Sequence, residues 1–237
     1  MSNLYRLVFD PQQKTAEIVN LTKEQQHYLK RVLRFSNGDR FVAMNGQGQS
    51  WLAELAADQA NLLETIELTT ELKVNLTLIT AMPKGNGYEQ ILRCGTELGV
   101  SQFVPVFSDR SLLKPSSNKV NRWRKIVTEA AEQAERAIVP QVLEPATFKQ
   151  AISELNPDLS DCYICVARGD RPSLWNCLKQ THKPEIIVAT GSEGGWTEGE
   201  IKSATQQGFQ PVSLGKSILR AVTAPIAVAT LVSAVCG

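Results

Sequence analysis

The 237-residue chain is short of several features that define whole classes of protein. No apolar run approaches the roughly 18 residues needed to span a bilayer. The opening residues, Met1 to Arg6, are polar and lack the apolar core of a secretory signal, so a cytoplasmic protein is expected. There is no internal repeat and no low-complexity tract. Only two histidines occur, His27 and His182, and neither sits in a HExxH-type pair. The five cysteines (Cys94, Cys162, Cys165, Cys177 and Cys236) are odd in number and scattered, which reads as free thiols. Cys162-Tyr-Ile-Cys165 has CxxC spacing, yet no second CxxC and no nearby histidine completes a metal tetrad. Tyr163, Ile164 and Val166 instead mark a buried strand, where cysteine behaves as a small apolar residue, and no metal is expected. Charge of one sign is also missing: 25 basic residues face 24 acidic ones, for a net +1. That balance excludes a uniformly basic nucleic-acid coat and turns attention to local patches. With 43% hydrophobic and 21% charged residues, the composition is that of a folded globular protein and not of a disordered one.

Residues 1–70 read as a small β-rich unit, a barrel or a sandwich, with one helix. Tyr5–Phe9 and Ala16–Val19 are short strands around an Asp10-Pro11 turn. Thr22 followed three residues later by Gln25 is a capping box, and Tyr28, Leu29, Val32 and Leu33 give the ensuing helix an apolar face. Arg40–Met44, Ser50–Leu55 and Asn61–Leu68 are further strands, the first two separated by the turn Asn45-Gly-Gln-Gly48.

Residues 71–237 read differently. Continuous apolar runs at Val74–Met82, Phe103–Phe107, Val139–Leu143, Cys162–Ala167, Ile186–Thr190 and Pro211–Leu214 alternate with helical sequence. The helices expected include one from Tyr88 closed by Gly99, one over 118–137, one over 147–155, and an almost wholly apolar one over 225–236 that must be covered. This βα alternation predicts an α/β fold with a mostly parallel sheet and helices on both faces.

In such sheets ligands gather beyond the carboxyl ends of the strands. Three strand ends carry unusual loops: Ala167-Arg-Gly-Asp170, Thr190-Gly-Ser-Glu-Gly-Gly-Trp-Thr197 and Leu214-Gly-Lys-Ser-Ile-Leu-Arg220. Glycines there admit close approach of backbone to a ligand. The middle loop is neither GxGxxG nor a P-loop, and it follows a late strand, which counts against a dinucleotide-dependent dehydrogenase. Ile218 and Leu219, apolar in a loop, suit the flat face of a nucleobase. Basic residues concentrate at Lys30, Arg31 and Arg34, which with His27 share one helical face, and between Ser108 and Ile126, where Arg110 is the first of six. Lys84 adds a cation in a glycine-containing loop. Two such patches in a chain of near-zero net charge favour a polyanionic partner such as RNA.

The segments Gly191-Ser-Glu-Gly-Gly195, Leu214-Gly-Lys-Ser-Ile-Leu-Arg220 with Thr223-Ala224, Thr96-Glu-Leu-Gly-Val100, Glu132-Gln133 with Arg136, His27–Arg34 and Asn45-Gly46 resemble the ribosomal RNA small subunit methyltransferase E family in the same order along nearly the whole chain. The resemblance implies a PUA-like β-rich N-terminal domain over 1–70 and a SPOUT-type α/β domain with a knotted parallel sheet (a trefoil knot) over 71–237. It further implies a homodimer and S-adenosyl-L-methionine-dependent methylation of N3 of a uridine in small-subunit (16S) ribosomal RNA. On that reading Ala167, Thr190, Gly191, Glu193, Gly194, Gly195, Leu214, Gly215, Ile218 and Leu219 line the cofactor site. Arg220 and Arg136 contact substrate or stabilise a uridine anion, and Lys30, Arg31, Arg34, Lys84 and Arg110 meet RNA. Two positions depart from the family pattern: Ser192 stands where proline is usual, and Val222 where glutamate is common. The alternative to an enzyme is an RNA-binding module on the same scaffold that has lost catalysis.

Overall fold

The computed structural model describes residues 4–111, 114–153, 155, 158–180 and 183–237. Met1–Asn3, Glu154 (inside the helix expected over 147–155) and His182 lie outside the described residues. Contacts divide the chain into two compact units, Met1–Glu71 with Thr128–Val139, and Leu72–Val127 with Pro140–Gly237.

The first unit is built on a six-stranded sheet. Its strands are β1 (Arg6–Val8), β2 (Lys14–Thr15), β3 (Ile18–Asn20), β4 (Arg40–Met44), β5 (Ser50–Ala56) and β6 (Gln59–Ile66), in the order β1-β4-β5-β6-β3-β2. Only β1 and β4 pair in parallel. Alternate side chains of these strands, among them Leu7, Val19, Phe41, Ala43, Ala53 and Leu62, close one core with Leu29. Leu29 is 1% exposed, and its burial contributes roughly 1.5–3 kcal/mol.

The capping box at Thr22 forms as the sequence predicts. Thr22 Oγ1 accepts from Gln25 N and Gln25 Oε1 accepts from Thr22 N, while Gln25 Nε2 donates to Val8 O. The helix that follows is shorter than expected. Helix α1 (Lys23–His27) gives way to a wide π-type turn over Tyr28–Val32, with Leu33 N donating to Tyr28 O at 3.0 Å. Arg34 then adopts φ +60, outside the right-handed region. The single α-helical face expected for His27, Lys30, Arg31 and Arg34 is therefore broken: all four are exposed, but Arg34 lies beyond the helix end.

Residues 128–139 group by contact with the first unit, whereas a break near residue 70 would have placed them in the second. The reason is a set of long-range bonds that no local pattern reveals. Glu132 Oε1 accepts from Val8 N at 2.7 Å, Arg6 pairs with Glu135, and Gly48 N donates to Ala137 O. Burial pushes the Glu132 carboxyl up to about 7, with Glu129 adding to the rise and the Val8 amide opposing it. A carboxyl that titrates higher folded than unfolded holds more protons in the folded state, so stability falls as pH rises from about 4.5 to about 7. Glu132→Gln keeps an acceptor for Val8 without the charge. Its denaturation midpoint should match the parent at pH 5 and exceed it at pH 8, and equal midpoints at both pH values would refute this.

The second unit carries the parallel sheet. Its strands are β7 (Asn75–Ala81), β8 (Val100–Phe107), β9 (Gln141–Val142), β10 (Ala146–Thr147), β11 (Ser160–Cys165), β12 (Glu185–Thr190) and β13 (Gln210–Val212). They run β10-β8-β7-β12-β11-β13, with β9 beside β8, and every pairing is parallel. The helices are α2 (Gly87–Glu97), α3 (Ser117–Gln133, whose residues from Thr128 on group with the first unit), α4 (Phe148–Ser153), α5 (Leu174–Cys177), α6 (Glu198–Gln206) and α7 (Thr223–Cys236). The α/β expectation holds, with Gly99 at φ +91 closing α2 as its position implied. Helix α3 stops four residues earlier than the expected Ala137, in a turn where Glu135 takes φ +60. Helix α7 buries the stripe Pro225, Val228, Ala229, Val232 and Cys236 against its own unit, and no helix of the described residues is long and apolar enough to cross a membrane.

The CxxC pair sits on β11. Successive side chains of a strand alternate faces, so Cys162 and Cys165, three apart, point to opposite sides of the sheet. Cys162 joins Ile164 in the core, and burial pushes the two thiols up to about 11 and about 12 respectively. They cannot chelate one ion together.

Candidate functional site

Parallel strands end at one edge, and the strand order makes β12, β11 and β13 immediate neighbours. The loops after these three strands are the three singled out in the sequence. The structure therefore brings Ala167, Gly191–Gly195 and Leu214–Leu219 to one edge of one sheet.

The middle loop is braced at both ends. Trp196 is buried and stacks on Phe148 with ring centroids 4.3 Å apart, which anchors the loop in the core. Thr197 then caps α6 in a capping box with Glu200, as its sequence suggests. Glu200 Oε1 also accepts from Asp109 N, and Thr197 Oγ1 bonds Asp109 Oδ2, tying the helix start to the loop after β8. Farther out, Glu193 Oε1 accepts from Lys84 N at 3.0 Å, and Arg110 Nη1 donates to Gly194 O at 2.7 Å. Glu193 and Arg110 thus hold the loop rather than project from it. Thr190 is fully buried, its hydroxyl 3.3 Å from that of Thr80, so it supports the loop from beneath. Ser192, the departure from proline, is buried with a hydroxyl that has no hydrogen-bond partner among the described residues.

The other two loops are laced to each other. Val166 N donates to Val212 O, Ser213 N to Pro172 O, and Leu174 N to Ser213 O, each at 2.9 Å. Ser213 Oγ bonds both the amide and the carbonyl of Gly215. Gly195 at φ +66 and Gly215 at φ +128 have nothing within 4 Å of where a Cβ would stand. Backbone there is open and held in a conformation that L side chains rarely adopt. Ala167, Glu193, Gly194, Gly215 and Ile218 are exposed, and Leu214, Leu219, Gly191 and Gly195 are half-buried.

Arg220 is exposed and has no acid partner among the described residues. Arg136 is not comparable. It belongs to the first unit, is 2% exposed, and its Nε lies 3.1 Å from Glu71 Oε2. A guanidinium buried on a carboxylate is a structural pair, and the substrate role expected for Arg136 does not fit its surroundings. Lys84 is exposed with its side chain unengaged among the described residues, while Arg110, expected on RNA, spends a donor on Gly194.

Val222 begins α7 without a side-chain cap. Its Cγ2 would lie 2.6 Å from a Cβ built on Gly87, and Pro83 Cγ 3.1 Å from it. Val222 is a packing residue against the start of α2. Gly87→Ala should therefore cost about 1–3 kcal/mol by overpacking, and Val222→Ala in the same chain should restore most of it. Equal unfolding midpoints for Gly87→Ala and the parent would contradict this contact.

Comparison with known proteins agrees with the layout. A family model described as RNA methyltransferase domain matches residues 70–233, and one described as RNA methyltransferase PUA domain matches 21–68. The chain is 50% identical over 225 residues to the ribosomal RNA small subunit methyltransferase E of Synechocystis sp., covering 93% of this chain and 74% of the relative. The chain belongs to the ribosomal RNA small subunit methyltransferase E family. A second member, from Bacillus subtilis, is 30% identical over 226 residues, covering 89% of this chain and 88% of its own. Among solved structures, the Neisseria gonorrhoeae member of the family, bound to S-adenosyl methionine, superposes with a TM-score of 0.87 at 28% identity, over 96% of this chain and 95% of that one. The family assignment expected from the sequence is thus shown, together with a parallel α/β sheet and a PUA domain ahead of it.

Sequence reasoning missed Asp109, which fastens α6, and the Pro172–Ser213 lace. Neither has a local signature: Thr197 and Asp109 are 88 residues apart.

Proposed function

We propose that the protein methylates N3 of a specific uridine in small-subunit (16S) ribosomal RNA, with S-adenosyl-L-methionine as donor. The observation that carries this reading is the convergence of three glycine-bearing loops at the ends of β12, β11 and β13, in a family with a member crystallised with S-adenosyl methionine. The residues fit that cofactor. Open backbone at Gly195 and Gly215, with Ile218 and Leu219 beside it, suits a flat adenosyl group held by main-chain atoms. Ala167, Thr190, Gly191, Gly194 and Leu214 complete the lining, and Glu193 keeps it in place through Lys84 N.

The cofactor supplies a methyl group on a sulfonium, so the protein's work is alignment and exclusion of water. Uridine N3 must lose its proton, and Arg220, an exposed cation on the β13 loop, would stabilise the resulting anion. Lys30, Arg31, Arg34 and Lys84 would meet RNA phosphates. The same reading carries a homodimer, a trefoil knot in the α/β domain and a cytoplasmic location.

The deciding assay supplies labelled S-adenosylmethionine to small subunits from cells lacking the endogenous enzyme. Label recovered as 3-methyluridine supports the proposal, and label in another nucleotide refutes the N3 assignment. One observation favours a second reading, an RNA-binding module without catalysis: Val222 fills with packing the place of a family carboxylate. RNA binding without any S-adenosylmethionine binding by calorimetry would select that reading.

A further inference from the structure

We infer that the loop after β11, helix α5 and the loop after β13 form a landing platform for single-stranded RNA flanking the target nucleotide, with Trp175 stacking on a base. The inference rests on the methyl-transfer reading and extends it to how substrate is held.

Trp175 is 39% exposed, whereas Trp123 and Trp196 are 0% and 7% exposed and Trp51 is half-buried. The helix beneath it is firmly seated, since Leu174 and Cys177 are buried. A large aromatic ring is therefore carried on the surface by a short helix whose neighbouring residues are buried. Lys179, four residues on, holds its ammonium 4.8 Å from the ring centroid.

One cation lies on the ring, and others stand on the neighbouring segments. Pro172 and Leu174 are hydrogen-bonded to Ser213, which sets the segment carrying Arg171 and Trp175 beside the segment that leads to Lys216. Arg168 and the 65%-exposed Ile218 lie on the same two loops. Across residues 166–180 and 213–222 the only acid is Asp170. Among the described residues no ion pair joins Arg168, Arg171, Lys179 or Lys216 to a carboxylate.

An aromatic ring amid unneutralised cations is the composition that holds a single strand, with phosphates on the charges and a base on the ring. Duplex RNA is read by shape across its minor groove and has no use for one exposed indole. A second copy of the chain is disfavoured as occupant, because a two-fold contact would set these like charges against themselves. The platform also lies beside Gly215 and Arg220, where the proposed reaction takes place.

The test titrates a short uridine-containing RNA oligonucleotide into the full-length protein, following tryptophan emission. Binding should quench emission. Trp175→Ala should abolish most of the quench and weaken binding about tenfold, the order expected for one base–aromatic stack, with the salt dependence unchanged. Trp175→Phe should restore affinity without restoring the quench. Arg171→Gln and Lys179→Gln together should lower the slope of log affinity on log salt by about 1.4, two phosphates at about 0.7 each. S-adenosylmethionine affinity and melting temperature should stay at parent values in every variant.

Parent-like RNA affinity in Trp175→Ala overturns the platform, even if the cofactor still binds and the methyl-transfer reading stands. A parallel loss of cofactor affinity also overturns it, because the ring would then serve the cofactor loop. So does a smaller mass by light scattering in Trp175→Ala, which would make the surface a self-interface. RNA binding through Trp175 in a protein that never binds S-adenosylmethionine would keep the platform and remove the methyl-transfer reading.

Discussion

Gly191→Val is expected to lower S-adenosylmethionine affinity by at least about 100-fold while the protein remains folded. A Cβ at this position would stand 3.1 Å from Gly195 Cα, 3.2 Å from Gly195 C and 3.3 Å from Trp196 N. All three are backbone atoms of the same loop, so no flexible side chain can swing aside. The far end cannot yield either, because Trp196 is stacked in the core. The strain must open the loop at its tip, and that breaks the bonds from Arg110 to Gly194 and from Lys84 to Glu193. A pocket built from main-chain atoms loses its shape when its main chain moves, and overpacking of this kind costs about 1–3 kcal/mol before any ligand contact is lost. Gly38→Ala is the natural control. Gly38, in the first unit, has φ +92 with open space around it, so Gly38→Ala strains backbone outside the three loops, whereas Gly191 lies outside the left-handed region and suffers the collision alone. Calorimetry with the two variants separates the effects, and retained cofactor affinity in Gly191→Val would show that the loop does not grip the donor.

Arg136→Ala is expected to destabilise the protein by about 3 kcal/mol, the lower end for breaking a buried pair by removing one partner. Arg136 is 2% exposed, while the Glu71 side chain keeps 25% exposure and one remaining bond, from Ile138 N. The residual access to water is why the lower figure applies. The cost corresponds to a fall of about 6–12 °C in melting temperature for a chain of this size. Removing both partners, Glu71→Ala with Arg136→Ala, should cost less than the sum of the two single changes. A catalytic Arg136 would behave otherwise, with turnover lost and melting unchanged, and that result would return it to the active site.

How far the sequence spoke depended on how local each signal was. The capping boxes at Thr22 and Thr197 span three residues and are fully legible. So are the parallel strands, buried on both faces, and the glycine that closes α2. The three loops could be marked as special from their glycines, and the alternation of strands and helices placed them at strand ends. What the sequence could not carry was pairing at a distance. Arg110 meets Gly194 across 84 residues and Glu193 meets Lys84 across 109, so neither bond has a local signature. Arg136 likewise meets its partner Glu71 across 65 residues. The π-type turn at Tyr28–Val32 is a third case: its apolar periodicity fits an α-helix and carries no mark of the wide turn or of the positive φ at Arg34.

The most direct measurement is a crystal structure of this protein grown with S-adenosylmethionine. The account requires the adenosyl group between the backbones of Gly191–Gly195 and Gly215–Leu219, with Ala167 at its side. A cofactor bound away from those three loops would contradict it.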